Sequence, residues 1–293
     1  MSEIVREIAS QPALWLQAAS RAEASANTLP AAGARIAVMG CGTSLYMAQA
    51  IAALRETAGR GETDAFAASE VPPGRRYDAV VAISRSGTTT EVVRALDALP
   101  EGVPSLAVTA VPGTPVAEAA KDAIVLDFAD ERSVVQTRFA TCALAMFRAH
   151  LGENLAPVAS DGEKALAAEY PVDVADFDHY VFLGRGWCAG LANEAALKFR
   201  EAAAAWTEAY PAMEYRHGPI SVATERTIVW AFGEVESELL AQAAETGATV
   251  VSNDAIDPMA ELIVVQRTAV ALAEHRGLDP DHPRHLTRSV VLS

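Results

Sequence analysis

The sequence has little of three things. It carries three cysteines in 293 residues, Cys41, Cys142 and Cys188, and 23 Lys and Arg against 38 Asp and Glu. It also has no apolar run approaching the roughly 18 residues of a membrane span. Three scattered thiols exclude a disulfide framework or a cysteine zinc site and fit a reducing compartment. The shortage of cations, a formal net charge of −15, argues against nucleic acid or an anionic membrane surface as partner. An anionic small molecule remains open, because hydroxyls and backbone N–H groups hold phosphate without cations. Glu3, Arg6 and Glu7 interrupt the first residues where a signal peptide needs an apolar core. The expectation is a soluble, cytoplasmic protein.

What is present is ordinary for a folded chain: 51% hydrophobic and 21% charged residues. At about 150 residues per domain the length suits two modest domains. Short β-branched apolar runs alternate with longer Ala-rich stretches. They are RIAVMG (35–40), DAVVAIS (78–84), SLAVTA (105–110) and DAIVLDF (122–128), then HYVFLG (179–184), TIVWAF (227–232) and ATVVS (248–252). Such runs are strands buried on both faces of a parallel sheet, and the alternation predicts an α/β fold with helices on both sides. The more polar stretch over 150–172, with Pro157, Gly162 and Pro171, is the expected boundary between domains at 1–155 and 156–293. Each half opens alike, VMGCGTSLYMAQAIAAL (38–54) and FLGRGWCAGLANEAALKF (182–199): strand, Gly-x-Gly, helix. The pattern suggests a duplicated unit.

The first Gly-x-Gly is not a dinucleotide fingerprint, since Leu45 stands where the third glycine belongs. Thr43 and Ser44 follow it instead. The stronger signal is SRSGTTTEVVRAL (84–96), with Ser84, Ser86, Thr88, Thr89 and Thr90 crowded around Gly87 between a buried strand and an amphipathic helix. One helix cap uses one hydroxyl; five in seven residues point to a phosphate at a helix N-terminus. No Walker lysine is present, so a phosphomonoester fits better than a nucleoside triphosphate.

In the second half Glu194, Lys198 and Glu201 are spaced i, i+4, i+7 and share one helix face. That spacing suits a solvated ion-pair row as well as a site. Two features favour a site: the helix follows a strand end, where open α/β sheets bind ligands, and it leads into EAYPAMEYRHGP with the isolated His217. A carboxylate and an imidazole are the types needed to move a proton between carbons of a sugar phosphate. His275, His282 and His285 lie in a Pro-broken stretch that is a poor metal site.

These residues carry a resemblance. GCGTS (40–44), SRSGTTTE (84–91) and ERSVVQTRFAT (131–141) resemble the phosphosugar-binding segments of the SIS (sugar isomerase) domain. LGRGWCAGLANEAALKFREAAAAWTEAYPAMEYRHGP (183–219) and LDPDHPRHLTRSVVL (278–292) are similar to the isomerase part of glutamine–fructose-6-phosphate aminotransferases. The resemblance implies two flavodoxin-like α/β/α SIS subdomains in tandem. It implies phosphosugar binding by Gly42, Thr43, Ser44, Ser84, Arg85, Ser86, Thr89, Gln136 and Glu194. It also implies Glu201 as the carboxylate shuttling the C1/C2 proton, His217 as the ring-opening histidine, and Lys198 beside them. The histidine segment would enter a neighbouring subunit's site, so a homodimer with composite sites is expected, without metal or cofactor.

Two departures shape the functional expectation. Arg288 stands where the synthases carry a lysine, and arginine forms no imine with a sugar carbonyl. It would bind phosphate or an oxyanion, or simply tie down the tail. Nor does the sequence contain a glutaminase segment with its cysteine nucleophile, so glutamine-dependent amination is not expected. A deaminase/isomerase or deglycase of a 6-phosphorylated amino sugar or fructosamine is. The alternative is a phosphosugar-sensing regulator, but such sensors usually carry a DNA-binding domain, and the segment before the first strand is a poor DNA reader.

Overall fold

The computed structural model describes residues 1–292 and divides into two compact units. One comprises residues 13–132, 136–156 and Thr287 onward; the other comprises residues 1–12, 133–135 and 157–286. The elements in chain order begin with helix α1 (Glu3–Ala24). The five-stranded unit then contains β1 (Ile36–Gly40), α2 (Thr43–Thr57), β2 (Thr63–Ala67), β3 (Ala79–Ile83), α3 (Thr90–Asp97), β4 (Ser105–Thr109), α4 (Pro115–Ala119), β5 (Asp122–Val125) and α5 (Arg138–His150). Its five strands are all parallel in the order β2-β1-β3-β4-β5, the flavodoxin-like arrangement. Strands β1 and β4 are buried throughout, as their apolar runs predict.

Helix α6 (Leu155–Ala167) opens the main stretch of the other unit. It occupies the polar segment expected to hold the boundary between domains. Pro157 stands in its first turn, where a missing N–H costs nothing. There follow β6 (His179–Gly184), α7 (Cys188–Ala203), β7 (Trp206–Pro211), β8 (Thr227–Phe232), α8 (Ser237–Glu245), β9 (Thr249–Ser252) and α9 (Pro258–His275). The order β7-β6-β8-β9 is again parallel and repeats the first four positions of the other sheet. Phe199 locks α7 onto this sheet, its ring 5.2 Å from Phe182 in an edge-to-face contact and 5.0 Å from Tyr180.

The two strand-to-helix turns share one steric device. A Cβ on Gly40 would lie 2.6 Å from Cβ of Ser44, and one on Gly184 would lie 2.2 Å from the Cys188 carbonyl oxygen. Only glycine lets each helix begin so close to its strand. Gly42 (φ 54°) and Gly186 (φ 57°) then take the left-handed turn. The duplication legible in sequence is a duplication of backbone geometry. No helix of the described residues is long and apolar enough to cross a membrane.

Candidate active site

The five-stranded unit gathers the hydroxyl-rich segments at the carboxyl ends of β1 and β3. Thr43 and Ser44 are buried in the first turn of α2, whose N-cap, Gly42, offers no side chain. Ser84 follows β3, only 3% exposed, and its hydroxyl has no hydrogen-bond partner among the described residues. Ser86 Oγ accepts from the Thr88 N–H at 3.2 Å and the Thr88 hydroxyl at 3.1 Å. Thr89 is the N-cap of α3 yet makes no side-chain capping bond, so the hydroxyl cluster is not spent on capping. Gly87 (φ 66°) is the hinge of the loop, and a Cβ there would strike Thr114 Oγ1 at 2.0 Å. Gln136 likewise buries an Oε1 without a partner. Buried polar atoms are nearly always paired in folded proteins, so Ser84 and Gln136 keep unused hydrogen-bonding capacity.

Arg85 is placed differently from the hydroxyls. Its guanidinium is buried 3.9 Å from the Glu131 carboxylate and donates to the Arg288 carbonyl at 2.7 Å. Glu131 in turn accepts from the Arg138 N–H at 2.8 Å and the Thr137 hydroxyl at 2.9 Å, capping α5. Arg288 donates to the Glu131 carbonyl and the Asp130 carboxylate. Arg85 therefore braces three segments, and Arg288 is the tail's ion-pair anchor. The tail runs on along the loop: the Ser289 and Thr88 hydroxyls are 2.7 Å apart, and the Thr90 N–H donates to Val290 at 3.2 Å. Cys41 is not a ready nucleophile beside this loop, since burial and the nearby Glu91 both push its thiol pKa up.

In the other unit, α7 is buried on nearly all sides, and its charged face is not a solvated row. Lys198 is 1% exposed and Glu194 is fully buried. Lys198 Nζ lies 3.2 Å from Glu194 Oε1 and 2.6 Å from Glu201 Oε2. Burial works against the ammonium, but the two carboxylates outweigh it and hold its pKa above the ordinary lysine value. Lys198 stays charged and is no amine nucleophile; it fixes the Glu201 carboxylate. Glu201 keeps 20% side-chain exposure and lines a cavity of about 300 Å³ with Arg200, Asp279, His282, Arg284 and His285. The cavity brings in two of the three tail histidines, His282 and His285. No group of three or more His, Cys, Asp or Glu among the described residues is arranged to hold a metal. His217 is exposed, beyond a short 3₁₀ turn, and is not part of the Glu201 cavity lining.

Residues 29–151 match the SIS domain. The chain is 28% identical to a glutamine–fructose-6-phosphate aminotransferase [isomerizing] of Bradyrhizobium diazoefficiens over 88% of this chain and 52% of that protein. The chain thus spans about half the length of the curated relatives it matches. Among solved structures it is similar to a glucosamine-6-phosphate deaminase of Thermotoga maritima, with TM-score 0.85 and 26% identity, covering 99% of this chain and 100% of that one. Tagatose-6-phosphate ketose/aldose isomerase of Escherichia coli shares the fold, with TM-score 0.79 and 21% identity over 97% of each chain.

Proposed function

We propose that this protein is a phosphosugar isomerase-type enzyme that couples proton transfer between C1 and C2 of a 6-phosphorylated amino sugar, or fructosamine, to release of the amine. The observation that carries the reading is Glu201, a carboxylate held at 2.6 Å by a buried ammonium and open to a cavity. A solvated ion-pair row has no use for a fully buried Glu194–Lys198 pair, which is costly to desolvate. The likeness to the Thermotoga deaminase supports the same chemistry.

In this reading the phosphate docks on Ser84, Ser86 and Thr89 with the N–H groups of the turn, and Thr43, Ser44 and Gln136 help hold the sugar. His217 promotes ring opening. Glu201 takes the proton from one carbon and returns it to the other, and water hydrolyses the resulting imine. No cofactor takes part. The proposal includes a homodimer in which His217 acts beside the Glu201 of a second copy. Its exposure supports this, as do Met213 and Val222, exposed large apolar side chains on the same segment.

The test is the Glu201→Gln variant with glucosamine 6-phosphate and fructose 6-phosphate. Calorimetric binding at near-parental affinity with amine release abolished is the expected result. Lost binding with residual turnover would remove Glu201 from the chemistry. A parent protein that binds these sugars and turns over neither them nor fructosamine 6-phosphates would be a sensor.

A further inference from the structure

Among the described residues two non-glycine positions hold a left-handed backbone, Ala204 (φ 49°) and His285 (φ 63°). Both line the cavity that contains Glu201. A side chain makes this conformation costly, and residues kept in it concentrate where ligands are handled. Ala204 has a local reason: it ends α7, its N–H donating to the Arg200 carbonyl at 3.1 Å, at the place where helices commonly turn left-handed. His285 ends no helix. Its imidazole makes no hydrogen bond or ion pair with the described residues, whereas the neighbouring His282 ring lies 3.0 Å from the Asp279 carboxylate.

The charged and titratable groups around it are Arg200 and Glu201 from α7, and Asp279, His282 and Arg284 from its own turn. Two of the cationic candidates are poor acids. A guanidinium such as Arg284 binds anions and does not hand on protons, and Lys198 is sealed between carboxylates. An imidazole both gives and takes protons.

We propose that His285 is a further catalytic residue, the acid that protonates the departing nitrogen in the Glu201 cavity. The assignment rests on Glu201 being the carbon base. After Glu201 has moved the proton from C2 to C1 of a 2-amino sugar, the intermediate is an imine at C2; in a fructosamine, whose nitrogen is on C1, the proton moves the other way and the same steps run on an imine at C1. Water adds across the C2 imine, its oxygen bonding C2 and its proton going to nitrogen, to give a carbinolamine. The C2–N bond then breaks, and the nitrogen leaves with the bonding pair and the proton of the His285 imidazolium. The C2 hydroxyl supplies the pair for the new C=O bond and returns its proton to the ring. Imine and water become ketone and amine, with no oxidant or reductant.

His285→Asn and His285→Gly test this, since both residue types tolerate a left-handed backbone. C1/C2 deuterium exchange and amine release are followed in the same tube by NMR, with glucosamine 6-phosphate, galactosamine 6-phosphate and a fructosamine 6-phosphate as substrates. Circular dichroism establishes that the variants fold. The ratio of release to exchange should fall by about 100-fold or more in both variants, and added imidazole should restore part of it in His285→Gly. A parental ratio in either folded variant would overturn the role of His285 and leave Glu201 standing. No exchange by the unsubstituted protein on any of the three would overturn Glu201 as the base, and His285 with it.

Discussion

Replacing Lys198 with Met is the sharpest probe of the α7 triad. The ammonium sits 3.2 Å from Glu194 and 2.6 Å from Glu201, and neither Lys198 nor Glu194 is more than 1% exposed. At an effective dielectric of about 20, the Glu194 contact alone is worth about 5 kcal/mol before desolvation. Desolvation offsets much of that in the intact pair, but removing the ammonium takes its attraction away from a carboxylate that stays buried. The expected loss is about 3–5 kcal/mol. At roughly 2–4 °C per kcal/mol for a chain of this order, the melting temperature should fall by roughly 6–20 °C.

The built-in control is Lys164, whose Nζ lies 2.7 Å from Asp161 but is 63% exposed. Lys164→Met should cost under about 1 kcal/mol, because burial, and not distance, separates the two pairs. Adding Glu194→Gln to Lys198→Met should recover part of the loss, since no full charge then remains buried at position 194. The pH dependence has a definite sign. A raised lysine pKa stabilises the fold fully below the unfolded value near 10.5 and ceases to do so as pH climbs through the higher folded value. The Lys198→Met deficit should therefore be flat through neutral pH and shrink only in strong alkali. Scanning calorimetry with urea titration measures each quantity. A Lys198→Met deficit within about 1 kcal/mol of the Lys164→Met control would refute the buried-triad argument.

Two further outcomes follow from the geometry. Ser84→Ala deletes a buried hydroxyl that has no partner among the described residues. Urea stability should stay within about 1 kcal/mol of the parent or rise, while affinity for a phosphosugar falls by about tenfold; a loss of stability without a loss of affinity would make the hydroxyl structural. Composite sites predict complementation: Glu201→Gln and His217→Ala dimers, each inactive, should regain about a quarter of parental activity after random reassortment of subunits, measured as amine release. No recovery in mixtures that have demonstrably exchanged subunits would place both residues in one chain's site.

Much of this was legible in the sequence, and what was missed has a physical pattern. The seven apolar runs are all strands. The two strands not foreseen, β2 (TDAFA) and β7 (WTEAYP), lie at the edges of their sheets and are mostly half-exposed, so neither needs an uninterrupted apolar run. The hydroxyl loop and the Gly-x-Gly turns announced themselves because local steric demands write local motifs. Burial of Lys198 did not, since the same i, i+4, i+7 spacing serves a wet surface equally well. The commitment of Arg85 to Glu131 and the left-handed backbone of His285 also depend on chain segments far apart in sequence. They become visible only once those segments are in place.

The central claim, that Glu201 moves a proton between C1 and C2, is tested most directly by proton NMR in D2O on the unsubstituted protein and Glu201→Gln, each with a saturating 6-phosphorylated amino sugar. The account predicts deuterium entering at C1 or C2 with the parent and none above background with the variant. Exchange at parental rate in Glu201→Gln would contradict it.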